Sequence, residues 1–104
     1  MEIMSPEFES ACRAHLDRFF QARPDDAVMK KRAATALHLL KLNDRPLKGD
    51  PLGWAAGIIY AVGTYDRPRL GVPGLLNSEF MELMGVSMET ARRRAAVVRE
   101  LMAF

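Results

Sequence analysis

The chain has very little cysteine, and no part of it is both long and uniformly apolar. Cys12 is the single cysteine among 104 residues, so the sequence excludes an internal disulfide and a CxxC metal or redox motif. Such cysteine usage is typical of a reducing compartment, and we expect a cytoplasmic protein. No apolar run approaches the roughly 18 residues of a membrane span, so we expect no membrane partner.

The residue patterns of common catalytic and metal sites are also missing. There is no HxxxH or HExxH spacing and no GxSxG motif. His15 and His38 border predicted helix faces, where a histidine is usually a surface residue and not a ligand. The adjacent carboxylates of Asp25 and Asp26 lie at a predicted helix start, where they compensate the helix dipole. We therefore expect a protein that is not an enzyme and has no cofactor and no metal.

The charge balance excludes a strongly basic nucleic-acid coat. Fifteen Lys and Arg residues oppose thirteen Asp and Glu residues, which leaves a net charge of +2. The hydrophobic fraction of 49% and the charged fraction of 27% are those of an ordinary globular protein, so a disordered or fibrous chain is excluded. A chain of this length corresponds to one domain.

Helix-favouring residues dominate the composition. Fourteen alanines and seven methionines stand against three isoleucines and six valines, and no strict alternation of apolar and polar residues persists. Helix starts are indicated by Ser5 before Pro6, by Asp50 before Pro51 and by Ser87. We predict an all-α, single-domain bundle of five helices over residues 5–22, 25–42, 51–63, 78–84 and 88–102.

Apolar residues at spacings of three and four predict which helix faces form the core. The third helix is apolar nearly all round, so we expect it at the centre with neighbours on every side. Gly53 and Gly57 remove side chains where another helix can approach closely. In the first two helices the predicted core residues are Phe8, Cys12, Leu16, Phe19, Phe20, Met29, Ala33, Ala36, Leu37 and Leu40; in the fourth they are Phe80, Leu83 and Met84.

The segment from Ser78 to Arg94 has the layout of a helix-turn-helix motif. Gly85 supplies a corner with positive φ, Val86 fills the angle between the helices, and Ser87 caps the second helix. Arg92, Arg93 and Arg99 are predicted to point away from the core, where they would reach phosphates or base edges of DNA. The same geometry is also an ordinary way to pack two short helices, with Arg93 paired to Glu89 or Glu100 on the surface.

Two runs of sequence carry a family resemblance that covers roughly residues 40–102. The runs RPLKGDPLGWAAGIIYAVG and MELMGVSMETARRRAAVVREL resemble a family of small bacterial and archaeal domains of unknown function, which share a WAAG-type helix and a GVS-type helix-turn-helix. More distantly, the chain is similar to the cyclin-box repeat of the transcription initiation factor B family. The resemblance implies a cyclin-box-like fold. It also implies DNA contacts from the start of the last helix, at Ser87, Met88, Thr90, Arg92 and Arg93. Arg94 departs from the pattern, since that position usually holds a buried apolar residue.

Two functions remain open from the sequence. The first is a non-catalytic helix-turn-helix module that binds duplex DNA or is associated with transcription. The second is a protein-protein interaction domain that uses the same helices, or the loop from Thr64 to Leu76, and binds no nucleic acid. A continuous basic patch favours DNA, and acidic residues that interrupt it favour a protein partner. The patch would consist of Arg67, Arg69, Arg92, Arg93 and Arg99.

The end of the chain favours self-association. Ala96 and Val97 are predicted on the outer side of the last helix, and Phe104 is an uncharged aromatic residue beyond it. Together they would form an exposed apolar strip. Helix-turn-helix proteins commonly dimerise to bind two half-sites, so we expect this strip to form a homodimer interface.

Overall fold

The computed structural model describes residues 4–43, 47–66 and 71–103, and all regular secondary structure in these ranges is helical. This finding confirms the all-α class and the five predicted helices, whose observed bounds lie within two residues of the predicted ones. The chain forms one compact globule with a radius of gyration of 12.5 Å. The helices are α1 (Pro6–Gln21), α2 (Ala27–Leu42), α3 (Pro51–Gly63), α4 (Asn77–Met84) and α5 (Met88–Met102).

The three predicted helix starts at Ser5, Asp50 and Ser87 have the expected caps. The Ser5 hydroxyl accepts a hydrogen bond from the backbone N–H of Phe8 at 3.0 Å, and the Asp50 carboxylate accepts one from the N–H of Gly53 at 2.9 Å. Each bond satisfies a backbone donor that has no partner inside its own helix. Helix α2 begins at Ala27, two residues later than predicted. Asp26 is its N-cap residue, but the Asp26 carboxylate binds Arg23 Nε at 2.7 Å and forms no cap hydrogen bond.

Helix α3 lies at the centre of the bundle. Every residue from Gly53 to Gly63 is buried. Helix α5 makes the most extensive contact with it, and α1 and α2 pack on its other sides. A helix with no polar side needs neighbours all round, so its position follows from its sequence. The prediction of a central third helix is confirmed.

Helices α3 and α5 run parallel and in close contact. Along α3, Gly53 lies beside Thr90 and Gly57 lies against the Cβ atom and backbone of Arg94. At the other end, Arg99 reaches the side chain of Thr64. A Cβ atom at residue 57 would overlap Arg94, so α5 can approach this closely only because residue 57 is glycine. The predicted close approach is confirmed at Gly57, whereas the contact of Gly53 with α5 is an ordinary van der Waals contact.

Helix α4 is short and is attached to the bundle by one side. Phe80 and Met84 are buried, and the Phe80 ring lies 5.9 Å from the ring of Tyr60. The helix otherwise makes only sparse contacts with the other helices. The prediction that Leu83 is a core residue is wrong, because its side chain is 44% exposed. Residues 80 and 84 lie one turn apart on the docked side, and residue 83 lies about 100° round the helix from residue 84, at the edge of that side.

The predicted core of α1 and α2 is otherwise confirmed. Phe8 is only half-buried and packs against its edge, and the other predicted residues are buried. Cys12 is fully buried, and this burial raises the pKa of its thiol to about 12. The guanidinium of Arg23 donates to the carbonyl of Pro73, which attaches the segment before α4 to the α1–α2 connection. Within the described ranges, no helix is both long enough and apolar enough to cross a membrane.

Candidate nucleic-acid interface

The turn between α4 and α5 has the local geometry expected from its sequence. Gly85 adopts the left-handed conformation with φ of 70°, and its N–H donates to the carbonyl of Met81 at 2.8 Å. Val86 is half-buried and packs against the core. The hydroxyl of Ser87 accepts from the N–H of Thr90 at 3.1 Å and thereby caps α5. Glycine is favoured at such a corner because a side chain would be strained at positive φ.

Four of the predicted site residues are accessible at the N-cap and in the first two turns of α5. Ser87, Arg92 and Arg93 are exposed, and Thr90 is half-buried. The hydroxyl of Ser87 also donates to the hydroxyl of Thr90 at 3.1 Å, so the two side chains form one polar group at the helix start. Both arginines lie in the second turn of the helix. We call these four residues the α5 surface.

Met88 does not belong to this surface. Its side chain is only 9% exposed, and it packs in the core with Ala91, Ala95 and Val98. These four positions are spaced by three and four residues, which places them on one side of the helix. The expectation that Met88 contacts DNA is therefore corrected: this side chain holds the start of α5 on the bundle.

The predicted orientation of Arg99 is wrong. Its Nη2 atom donates to the hydroxyl oxygen of Thr64 at 2.5 Å, and its guanidinium carbon lies 5.9 Å from the centre of the Tyr60 ring. The Thr64 hydroxyl in turn donates to the carbonyl of Tyr60 at 2.6 Å. Because these contacts bend the half-buried side chain towards the end of α3, Arg99 joins the two helices and does not extend away from the core.

Arg94 has a structural role that the sequence interpretation missed. Its guanidinium carbon lies 4.9 Å from the centre of the Trp54 ring, in a cation-π arrangement. Its Nε atom is buried and has no hydrogen-bond partner within the described residues. Burial, followed by the charge of neighbouring Arg93, lowers the pKa of Arg94, while the carboxylate of Asp50 opposes this shift. The guanidinium thus covers Trp54 at a position where a helix-turn-helix motif usually has an apolar side chain.

The charge of the α5 surface is only partly compensated. Arg93 Nη1 lies 3.8 Å from Glu89 Oε1, and the two side chains are 58% and 87% exposed. A solvent-exposed pair at this distance contributes little, so Arg93 can exchange Glu89 for another anion. Arg92 has no ion pair or hydrogen bond within the described residues. Arg67 and Arg69, the other members of the expected basic patch, lie outside the described residues.

The expected dimer strip is narrower than the sequence indicates. Ala96 is exposed, but Val97 is half-buried and packs against the core. Phe104 lies outside the described residues. Of the two described residues, only the small side chain of Ala96 is exposed, and homodimerisation through this strip stays a prediction.

A shallow cleft lies on another part of the molecule, between the start of α2 and the end of α3. It has a volume of about 260 Å³, and its lining includes Asp25, Asp26 and Asp66. Asp26 is bound to Arg23. No group of three potential metal ligands occurs among the described residues. His15 is half-buried on α1, and His38 is exposed on α2.

Comparisons with known proteins identify no relative of this chain. A scan against protein-family models finds no matching family, and searches of curated proteins and of solved structures find no match. The resemblance carried by the WAAG and GVS runs therefore stays a prediction, and the function has to be argued from the α5 surface itself.

Proposed function

We propose that the chain is a non-catalytic, cyclin-box-like module with a helix-turn-helix, and that it binds duplex DNA through the α5 surface in the cytoplasm. One observation carries this proposal: Arg92 and Arg93 are both exposed in the second turn of a serine-capped helix that follows a left-handed glycine corner. In helix-turn-helix proteins the residues near the start of the second helix contact base edges in the major groove.

The polar groups of the α5 surface match the two kinds of contact that DNA offers. Arg92 and Arg93 supply guanidinium groups for phosphates or for the O6 and N7 atoms of guanine. The Thr90 hydroxyl accepts a hydrogen bond from Ser87, which leaves its own proton for a phosphate oxygen. Met88 and Arg99 hold the helix in place and make no contact with the nucleic acid. The expected affinity is modest, because few phosphates are neutralised.

A fluorescence anisotropy titration of a mixed-sequence DNA duplex tests this proposal. The parent protein is compared at two salt concentrations with an Arg92→Ala/Arg93→Ala variant. Each lost phosphate contact should lower the slope of log affinity against log salt by about 0.9. Melting curves should be unchanged, because both side chains are exposed.

An Arg13→Ala/Arg18→Ala variant is the matched control. It removes the same two positive charges from exposed positions of α1, so it measures the effect of net charge alone. If the two variants lose the same affinity and slope, the α5 surface is not the binding site. A parent affinity weaker than about 10⁻⁴ M at low salt, below ordinary non-specific binding, would exclude DNA as the ligand.

A protein partner is the second candidate, and two observations favour it. Glu89 lies beside Arg93 on the exposed side of α5, so acidic and basic side chains alternate there. Leu76 and Leu83 are 69% and 44% exposed at α4, which offers apolar area to a protein but nothing to a phosphate backbone. An affinity pull-down from native lysate separates the two candidates. A partner retained after nuclease treatment, and lost with a Leu76→Ser/Leu83→Ser variant, would support a protein partner.

A further inference from the structure

The segment from Gly71 to Ala91 has no positively charged residue. It contains α4 and the turn before α5, and its charged residues are Glu79, Glu82 and Glu89. The whole chain has fifteen Lys and Arg residues against thirteen Asp and Glu residues. This segment is therefore negative in a protein whose net charge is +2.

Two exposed leucines lie on one side of α4. Leu76 immediately precedes the helix and is 69% exposed, and Leu83 lies in its last turn and is 44% exposed. Seven residues correspond to about two turns, so the two positions share one side and lie about 10 Å apart along the helix axis. Single exposed leucines are common on protein surfaces. Two in one row on a sparsely attached helix form an apolar stripe that the described residues leave open.

Two carboxylates accompany this apolar stripe. Residue 79 lies three residues after Leu76 and four before Leu83, so Glu79 is in the same row. Its Oε1 atom accepts a hydrogen bond from the N–H of Leu76 at 2.9 Å, which holds the carboxylate beside that leucine. Glu82 is exposed and forms no ion pair or hydrogen bond within the described residues. We call Leu76, Glu79, Glu82 and Leu83 the α4 surface.

We infer that the α4 surface binds an amphipathic helix of a protein partner, with lysine or arginine beside the apolar stripe of that helix. Apolar residues seven positions apart are the anchors by which amphipathic helices bind along a complementary surface. The carboxylates of Glu79 and Glu82 would pair with the flanking cations of the partner, as charges beside the apolar seam do in coiled coils. The two leucines offer little area, so the expected complex is weak and transient.

The charge of the α4 surface favours a basic partner over the other possible occupants. The phosphates of a nucleic acid and of anionic lipids would be repelled by its two carboxylates. A second copy of the chain, related by a two-fold axis through α4, would bring Glu79 and Glu82 close to the same residues of the first copy. Like charges that face each other across an interface are unfavourable. A cationic amphipathic helix complements both the leucines and the carboxylates.

An NMR titration of the isotope-labelled protein with two synthetic amphipathic peptides tests the inference. Both peptides have leucines at positions i, i+3, i+4 and i+7, flanked by lysines in one peptide and by glutamates in the other. The lysine peptide should bind and shift the amide signals of residues 76–83 most, and the glutamate peptide should not bind. Equal binding of the two peptides, or shifts centred on another helix, would overturn the inference.

Variants separate the apolar from the charged contribution. A Leu76→Ser/Leu83→Ser variant should bind the lysine peptide about tenfold more weakly. The matched control is Val28→Ser/Leu42→Ser, which removes two side chains that are each 66% exposed on α2 and should keep the parent affinity.

Charge reversal provides a second measurement if the leucine variant is destabilised. Glu82→Lys should lower the affinity about two- to fivefold at low salt and less at high salt, because exposed ion pairs are weak and screened. Melting curves should be unchanged, since Glu82 is exposed. Glu7→Lys on α1 makes the same charge change at another exposed position and should keep the parent affinity. An equal loss in either control would overturn the inference.

The inference and the proposed function can fail separately, because the α4 surface and the α5 surface share no residue. A parent that binds the lysine peptide but no duplex leaves the inference intact and removes the proposed function. A parent that binds duplex DNA, with an affinity for the lysine peptide weaker than about 1 mM, does the reverse. Light scattering that shows a dimer for the parent and a monomer for the leucine variant would assign the α4 surface to a second copy and overturn the inference.

Discussion

Helices α3 and α5 lie parallel and in contact along most of their length, yet they relate to solvent in opposite ways. Every residue of α3 from Gly53 to Gly63 is buried, whereas α5 buries one side and exposes the other. Changes in α3 should therefore lower stability and affect binding only through unfolding. Changes on the exposed side of α5 should affect binding and leave stability unchanged. Changes in residues along the contact between the two helices should affect both stability and binding.

The largest expected effect comes from the centre of α3. Ile58 is fully buried, and truncation of such a side chain removes transfer free energy and leaves a cavity. The Ile58→Ala variant should lose about 2 to 5 kcal/mol of unfolding free energy. Urea unfolding followed by circular dichroism measures this loss. A variant with the midpoint of the parent would contradict the central position of α3.

The second-largest expected effect tests the contact between Gly57 of α3 and Arg94 of α5. In a Gly57→Ala variant the added methyl group overlaps Arg94, and α5 has to move away from α3. Overpacking of this kind typically costs about 1 to 3 kcal/mol. Gly53→Ala is a control in the same helix. Its methyl group would make an ordinary van der Waals contact with Thr90 of α5, and its tighter contact would be with Asp50, which precedes α3. Equal melting temperatures for the two variants would disprove the close approach at residue 57.

Arg99 should contribute to stability although it was expected to be free. An Arg99→Met variant loses the hydrogen bond to Thr64 and the contact with the Tyr60 ring. Thr64 keeps its bond to the carbonyl of Tyr60, so the expected loss is only about 1 kcal/mol. Arg92→Met is the matched control and should melt with the parent. If the two variants melt alike, Arg99 does not join α5 to α3.

The smallest expected effect has the opposite sign. An Arg94→Met variant keeps a long side chain over Trp54 and removes the buried Nε atom that has no partner within the described residues. Relief of an unsatisfied polar group outweighs the lost cation-π contact, so we expect a gain of up to about 1 kcal/mol. Thermal unfolding measures it. A clear loss of stability would show that the guanidinium itself holds the two helices together.

The sequence predicts the helices well because their ends have local causes. Ser5, Asp50, Gly85 and Ser87 act on backbone groups within a few residues, and the structure contains each of these caps or corners. The cap of α2 was not predictable in this way. The Asp26 carboxylate could accept a hydrogen bond from the backbone at the start of α2 or bind Arg23, and in the structure it binds Arg23.

The site is less predictable, and the reasons differ between residues. The burial of Met88 has a signal in the sequence, because residues 88, 91, 95 and 98 share one side of the helix. For Arg94 the motif indicates a buried position but not the contact with Trp54, and Arg99 has no signal, since the two orientations depend on Gly57 and Thr64, more than thirty residues away in the chain. A long polar side chain at the edge of a helix interface orients towards the polar and aromatic groups of the neighbouring helix.

The buried thiol of Cys12 makes the native protein a convenient background for site-specific labelling. A thiol reacts as its thiolate, and burial with a pKa raised to about 12 suppresses that form at neutral pH. A cysteine introduced at an exposed position such as Lys31 or Arg92 should therefore take a maleimide dye without removal of the native one. Slow modification of Cys12 itself would then report how often the interior of the bundle opens to solvent.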